Sequence, residues 1–251
     1  MQFTQSLIVF LSALAVTNAK PPARKPCTTT SATRPTSTLT ESVTYVIPSN
    51  GGSTPLASPP ANSTLQHIAV GQGIQNYTCT TAGALGTSKG ALAILYDMTA
   101  LYPGSGASAL SEADFEAFPA RVLNTTAQPT FDASNLDNPF PADAALKVPG
   151  LATPLQVVGH HYFDSALVPT FDLSPELFKG VKTTDIPAPA DADKGLTGEG
   201  AVDWLALSSN GASITIDMVY RIFTAGGVSS ACTTVGDIQS VPYTAMYWIY
   251  V

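Results

Sequence analysis

The residues best suited to acid–base chemistry are the few histidines and the acids near them. The chain contains three histidines, His67, His160 and His161, without an H-E-x-x-H or H-x-H pattern. Adjacent histidines in a strand point to opposite faces, so His160 and His161 cannot chelate one ion together, and no metal site is predicted. His161 with Asp164 or Asp203 is the candidate catalytic set, with the imidazole moving protons. The favoured alternative is a histidine packed in a sheet and hydrogen-bonded to backbone.

A second group of residues has the chemistry of a sugar-binding site. Asp203-Trp204 follows Glu199 closely, and an exposed tryptophan beside a carboxylate is suited to stacking on a sugar ring. Pairs of carboxylates also cleave glycosidic bonds, although the sequence cannot place two acids opposite one another. Trp204, Glu199 and His160 are therefore candidate ligand-binding residues. For Trp204, a place in the core is the favoured alternative.

Two further patterns match catalytic motifs but lack their structural context. Gly86-Thr-Ser-Lys-Gly90 fits G-x-S-x-G, yet a small-residue loop precedes it and a predicted strand follows, whereas a nucleophile elbow needs a strand before and a helix after. Gly104-Ser-Gly-Ala-Ser-Ala109 fits G-x-G-x-x-A. No repeated strand–helix alternation follows it, so a dinucleotide site is not favoured and no cofactor is predicted.

These residues must be positioned by strands, because period-two alternation is the clearest pattern in the chain. From Ser213 to Phe223, apolar residues alternate with Ser213, Thr215, Asp217 and Arg221, which predicts a half-buried strand. Val241 to Val251 is apolar on both faces and predicts a central strand. The other predicted strands are Leu65–Val70, Ile74–Cys79, Ala91–Met98, Leu155–Phe163 and Val202–Leu207.

Helical signals are sparse. Ser111 and Asp114 form a capping-box pattern, and Pro119 follows, so a short helix is predicted over Ser111–Phe118. The tetrapeptide Pro-Thr-Phe-Asp occurs at 129–132 and at 169–172, where it is interpreted as two similar turns or as chance. Many strands and little helix predict a mainly β fold, a single β-sandwich or β-barrel-like domain with one or two short helices.

The N-terminal part has the features of an exported protein. Leu7 to Val16 is a ten-residue apolar run followed by Thr17-Asn18-Ala19, which predicts a signal peptide over residues 1–19. Residues 20–60 contain 23 Pro, Ser or Thr among 41 and predict a linker able to carry O-glycans. Val43 to Ile47 has the composition of an edge strand, so the domain predicted over 61–251 could begin earlier.

Charge separates the linker from the domain. Residues 1–60 hold four of the 11 Lys and Arg and one of the 18 Asp and Glu, which leaves 7 against 17, or −10, for residues 61–251. Such an acidic surface repels nucleic acid and anionic lipid. We therefore expect the domain to bind no nucleic acid. No stretch after the predicted signal peptide is long and apolar enough to span a membrane, so no membrane insertion is expected, and the secreted protein is expected to be a monomer.

Cysteines and sequons fit an oxidising, extracellular compartment. Cys79 and Cys232 lie near the two ends of the domain and are expected to pair there. Cys27 is left over, and it could be free, pair between molecules or compete for one of the other two. Three sequons, at Asn62, Asn76 and Asn124, are predicted N-glycosylation sites.

Several ordered blocks resemble the DUF3455 family, in its fungal secreted branch. One block reads Gly-His-His-Tyr-Phe at 159–163, and another ends in Thr-Ala-Gly-Gly at 224–227. The other blocks are Leu65–Cys79, Ala93–Met98, Pro169–Asp172, Val202–Leu205, Cys232 and Val241–Tyr250. The resemblance covers residues 65–251.

The resemblance implies a Cys79–Cys232 bridge and an important His161, because the family pattern has a Gly-x-His-Tyr block there. It implies no established function. Some members carry a malate dehydrogenase label, which the failed dinucleotide pattern does not support. Ile222-Phe223 departs from the family, whose members usually place Asn before Thr-Ala-Gly-Gly.

Three functions follow as hypotheses. The leading one is a secreted, glycosylated β-domain that binds at the cell wall or in the extracellular space, with a wall polysaccharide or a host surface as partner. The second is an extracellular hydrolase or metal-assisted enzyme that uses His161 and a nearby carboxylate. The weakest is the dehydrogenase of the family label.

Overall fold

Eight antiparallel strands form a closed barrel in which each strand pairs with its sequence neighbours and β8 closes on β1. The structure, a computed structural model, describes residues 43–52, 54–132, 134–135 and 138–251, all within the unit Ser42–Val251. The predicted signal peptide (1–19), most of the predicted linker and Cys27 lie outside the described residues. The strands are β1 (Leu65–Thr78), β2 (Thr87–Asp97), β3 (Val157–Phe163), β4 (Pro169–Asp172), β5 (Leu177–Ile186), β6 (Trp204–Ser209), β7 (Met218–Gly226) and β8 (Ile238–Tyr250).

The barrel interior is filled by aromatic rings and by small residues that leave room for them. Gly71 on β1 leaves room for Tyr247 of β8, since a Cβ at Gly71 would lie 2.5 Å from the Tyr247 ring. An eight-stranded barrel is narrow enough for side chains to fill in this way. The buried interior includes Ala69, Ala93, Leu95, Phe171, Phe178, Val219, Tyr243, Ala245, Tyr247 and Ile249.

A second apolar layer covers the outside of β1, β2 and β6–β8. Two short helices, α1 (Glu112–Glu116) and α2 (Phe118–Thr125), pack there together with residues 45–56 and the connection to β3. The layer includes Ile68, Val70, Phe115, Phe118, Val122, Trp204, Tyr220, Met246 and Trp248. These strands are therefore buried on both faces, which explains why β8 has no polar face.

Several predicted elements differ from those observed. The predicted mainly β fold is confirmed, in its barrel form. The strands predicted over Leu65–Val70 and Ile74–Cys79 are instead one continuous strand, β1, with a bulge at Asn76/Tyr77. Pro119 does not end a helix but lies in the first turn of α2, where its missing N–H costs nothing. The predicted strand from Ser213 begins only at Met218, because Thr215 has a positive φ of 65°.

Two segments whose sequences carry little periodicity also differ from their predicted structures. The Pro-Thr-Phe-Asp sequence at 169–172 is strand β4, whereas its copy at 129–132 has no regular structure. Val43 to Ile47 forms no strand, although Tyr45 packs 4.6 Å from the ring of Tyr102.

The expected disulfide between Cys79 and Cys232 is present, and it spans 153 residues of sequence.

Candidate functional site

A groove of about 850 Å³ lies between β3, the ends of β1 and β2, and the segment that carries Phe140. We call it the outer groove. His160 and Tyr162 enter it from β3, because residues two apart in a strand share a face. Asn76 of β1 and Ser240 of β8 form part of its opposite wall.

Three half-exposed rings meet in the outer groove. The ring centroid of Phe140 lies 4.3 Å from that of His160, with an angle of 37° between the planes. The centroid of Tyr162 is 6.3 Å from that of Phe140, close to edge-on. Together they present an aromatic surface whose faces remain partly open to solvent.

Polar groups surround these rings. His160 Nε2 lies 2.8 Å from Asp143 Oδ1, and Asp172 is the residue opposite His160 on β4. On the far wall, Ser240 Oγ donates a 2.7 Å hydrogen bond to Asn76 Oδ1. The groove thus combines ring faces with carboxylate, hydroxyl and amide groups.

His161 points the other way, into the barrel. It is 3% exposed, its ring stacks on Phe171 at 4.0 Å, and Nδ1 lies 2.9 Å from the Thr170 carbonyl oxygen, to which the N–H tautomer donates. Burial lowers the pKa of His161 to about 3, so the imidazole is neutral at ordinary pH. These features match a histidine packed in the sheet.

The structure does not bring the candidate catalytic set together. Asp164 closes the β3–β4 turn, where Oδ1 accepts from the backbone N–H groups of Ala166 and Val168, and Lys179 donates to Oδ2 at 2.9 Å. The Lys179 hydrogen bond lowers the pKa of Asp164. Asp203 is exposed and lines a different cavity, at the open end of the barrel.

The predicted acid–aromatic cluster is not formed as a sugar-stacking surface. Trp204 is 1% exposed and lies in the outer layer, with its ring 5.1 Å from that of Phe223. Glu199 is exposed in the connection between β5 and β6. Of the three candidate ligand-binding residues, only His160 lines the outer groove.

Neither of the two short motifs adopts its catalytic fold. Ser88 of G-x-S-x-G lies in the β1–β2 hairpin, paired across from Tyr77, and not between a strand and a helix. The G-x-G-x-x-A segment forms turns with positive φ at Gly104 and Gly106, and the barrel strands on either side of it are antiparallel. No group of three or more metal-ligating side chains occurs in the part of the chain that the structure describes.

The three sequons differ in their surroundings. Asn62 is exposed in a turn. Asn76 lines the outer groove, and Asn124 of α2 donates through Nδ2 to the Ala120 carbonyl and to Asp193, both at 2.8 Å. A glycan on Asn124 would therefore replace a hydrogen bond of the folded state, whereas one on Asn62 would not.

The fold and the groove define a closed eight-stranded antiparallel barrel with a solvent-open aromatic groove beside β3. The chain belongs to the family described as protein of unknown function (DUF3455), whose model matches residues 59–251. Neither a curated protein nor a solved structure matches the chain. Among the described residues, no helix is long and apolar enough to cross a membrane.

Two groove residues were not among the sequence candidates. Tyr162 could have been found, since it lies two residues after His160 and must share its face. Phe140 gives no such signal, because it belongs to an irregular connection. The family departure at Phe223 lies on the outer layer, where the ring packs on Trp204 and Phe115.

Proposed function

We propose that this protein is a secreted carbohydrate-binding domain that holds a glycan of the cell wall or extracellular matrix in the outer groove. The observation that carries the proposal is the cluster of Phe140, His160 and Tyr162, three half-exposed rings beside hydrogen-bonding side chains. A sugar has apolar C–H faces and a polar edge, so it suits a surface with both characters.

Secretion is part of the proposal and has separate support. The apolar run at residues 7–16 and the Pro, Ser and Thr content of residues 20–60 are typical of an exported, tethered domain. The Cys79–Cys232 disulfide suits an oxidising compartment. An acidic domain of this kind would be held at a wall by specific contacts rather than by nonspecific attraction to polyanions.

The test is retention of the purified protein by insoluble chitin, β-glucan and cellulose. Phe140→Ala and Tyr162→Ala should each weaken retention by about fivefold or more, since one aromatic contact contributes about 1 kcal/mol or more. Ile214→Ala is the matched control, because Ile214 is 55% exposed and lies outside the groove. No retention on any of these polymers, or equal retention of all variants, would contradict the proposal.

Asn76 requires one further variant in the same assay. A glycan on Asn76 would enter the groove and compete with an external sugar. Thr78→Val removes the sequon while it leaves the Ser240–Asn76 hydrogen bond intact. We expect this variant to be retained at least as strongly as the parent protein.

Hydrolysis of the bound glycan is a second candidate function, and the His160–Asp143 pair favours it. Among the described residues no carboxylate pairs with the buried His161, so this second candidate function places the acid–base chemistry on His160. Release of soluble sugar that stops in His160→Gln while retention persists would support catalysis. Retention without release would leave binding as the function.

A further inference from the structure

The barrel is open at one end, where a cavity of about 610 Å³ reaches toward the interior. We call it the mouth cavity. Its walls are mainly apolar, and Gln75 and Tyr77 of β1 and Arg221 of β7 are among its polar groups. The apolar wall consists of Phe163, Val202, Leu205, Leu207 and Val228. A volume of this size is typical of small-molecule sites.

Arg221 of β7 is half-buried in this cavity without a carboxylate partner. Its Nε and Nη2 donate to the backbone carbonyl of Asp203 at 3.1 and 2.9 Å. No carboxylate oxygen of the described residues lies within salt-bridge distance of the guanidinium. The Tyr247 hydroxyl is also close to Arg221, and because an arginine has five N–H donors, at least two remain for a ligand.

Gln75 of β1 supplies an independent observation. It is 5% exposed and lines the mouth cavity, and its Nε2 has no hydrogen-bond partner. A buried donor without a partner destabilises the fold unless a ligand satisfies it. Nearby, Tyr77 Oη donates to the Gly227 carbonyl at 2.6 Å, which leaves its oxygen free to accept.

The other charges at the mouth limit which anion fits. Lys182 and Asp185 pair with each other at 2.7 Å, and Asp203 is exposed at the rim. Among the described residues that line the cavity, Arg221 is therefore the one cation without a carboxylate partner. A single negative charge is suited to it, whereas a dianion would meet the acids at the rim. The apolar walls require that the rest of the ligand be apolar.

We propose that the mouth cavity binds a small organic monocarboxylate, with the carboxylate on Arg221 and Gln75 and the apolar body against the barrel wall. Arginine holds carboxylates through two parallel hydrogen bonds. This site is separate in chemistry from the outer groove and does not depend on it, although Tyr77, Phe163 and Leu167 line both cavities.

The experiment is calorimetric titration of the full-length protein with phenylacetate and with its neutral analogue 2-phenylethanol. Phenylacetate should bind one to one, and 2-phenylethanol about tenfold more weakly or worse, because a charge-assisted hydrogen bond contributes about 1.5–3 kcal/mol. Arg221→Gln should weaken phenylacetate binding by a similar factor and leave 2-phenylethanol binding unchanged.

Two further variants guard against misfolding of Arg221→Gln. Gln75→Met removes the orphan donor and should lower phenylacetate affinity without loss of thermal stability. Asp203→Asn removes the rim charge, keeps the backbone carbonyl that Arg221 uses, and should raise the affinity. Equal binding of acid and alcohol, affinity unchanged in all three variants, or no saturation by about 10 mM phenylacetate would overturn the proposal.

Discussion

At the scale of single residues, the buried His161 makes the stability of the fold depend on pH. Its pKa is lowered to about 3 by burial, against about 6.5 in the unfolded chain. Between these values the unfolded chain binds the proton and the folded protein does not. The free energy of unfolding is therefore undiminished by His161 above pH 6.5, and it decreases as the pH is lowered from 6.5 toward 3.

We expect His161→Gln to flatten this dependence. At pH 4.5 the parent should have lost about 3 kcal/mol relative to pH 7.5 through this residue, and the variant should lack that loss. His67 works in the opposite direction, because the Asp97 carboxylate, 3.6 Å from its Nδ1, raises its pKa, but His67 is common to both proteins. Urea unfolding at several pH values measures the difference, and parallel profiles would contradict the assignment.

At the scale of secondary-structure elements, periodicity predicted the strands that have a continuous apolar face, such as β2 and β8. It failed for β4 and β5, whose short or Lys- and Thr-rich sequences carry little alternation. It also misassigned the faces of β7, because the predicted solvent face with Arg221 is the barrel interior. The alternation of β7 alone cannot show that both of its faces are buried, because one face is covered by residues outside the barrel.

Strand alternation also predicts only part of the candidate site. Strand alternation correctly separates His160 from His161, and it places Tyr162 beside His160. It cannot show that Phe140, from a distant connection, completes the outer groove. It also cannot show that Trp204 is buried in the outer layer, with its ring against Phe223, since coverage of a sheet face depends on long-range packing.

Helix α2 is attached to the barrel by polar contacts at both ends. Thr244 of β8 is fully buried and its Oγ1 donates to the Pro119 carbonyl at 2.6 Å. Gln72 of β1 donates to Thr126 Oγ1 and to the Ala127 carbonyl, both at 2.9 Å. These contacts join the first turn and the C-terminal end of the helix to adjacent strands.

We expect Thr244→Val and Gln72→Met each to lower the unfolding free energy by about 1–3 kcal/mol, because each removes buried hydrogen bonds. Amide hydrogen exchange should accelerate more in α2 than in β1 or β8, since the barrel keeps its own ladder. Thr81→Val, at an exposed threonine outside the sequons, is the control. Uniform acceleration across all strands would mean that the contacts support the barrel as a whole.

At the scale of the whole molecule, the stretch before the barrel contributes to its packing. Leu56 is 5% exposed, Tyr45 packs against Tyr102 and Trp248, and Asn50 Nδ2 donates to the Pro187 carbonyl at 2.9 Å. Tyr220 Oη donates to the Ala57 carbonyl at 2.9 Å. Residues 43–52 and 54–60 therefore form part of the barrel's outer layer.

A chain that begins at residue 61 should consequently be less stable than one that begins at residue 43. Loss of Leu56 removes about 1.5–3 kcal/mol of burial, and loss of the Ala57 carbonyl leaves the Tyr220 hydroxyl unpaired at a cost of about 1–3 kcal/mol. The expected difference is about 3–6 kcal/mol by urea unfolding, and the full-length chain should match the chain from residue 43. Leu56→Ala in the full-length chain should reproduce about 2–4 kcal/mol of the loss. If both truncated chains unfold at the same denaturant concentration, the contacts made by residues 43–60 do not stabilise the barrel, and the folding unit begins at residue 61.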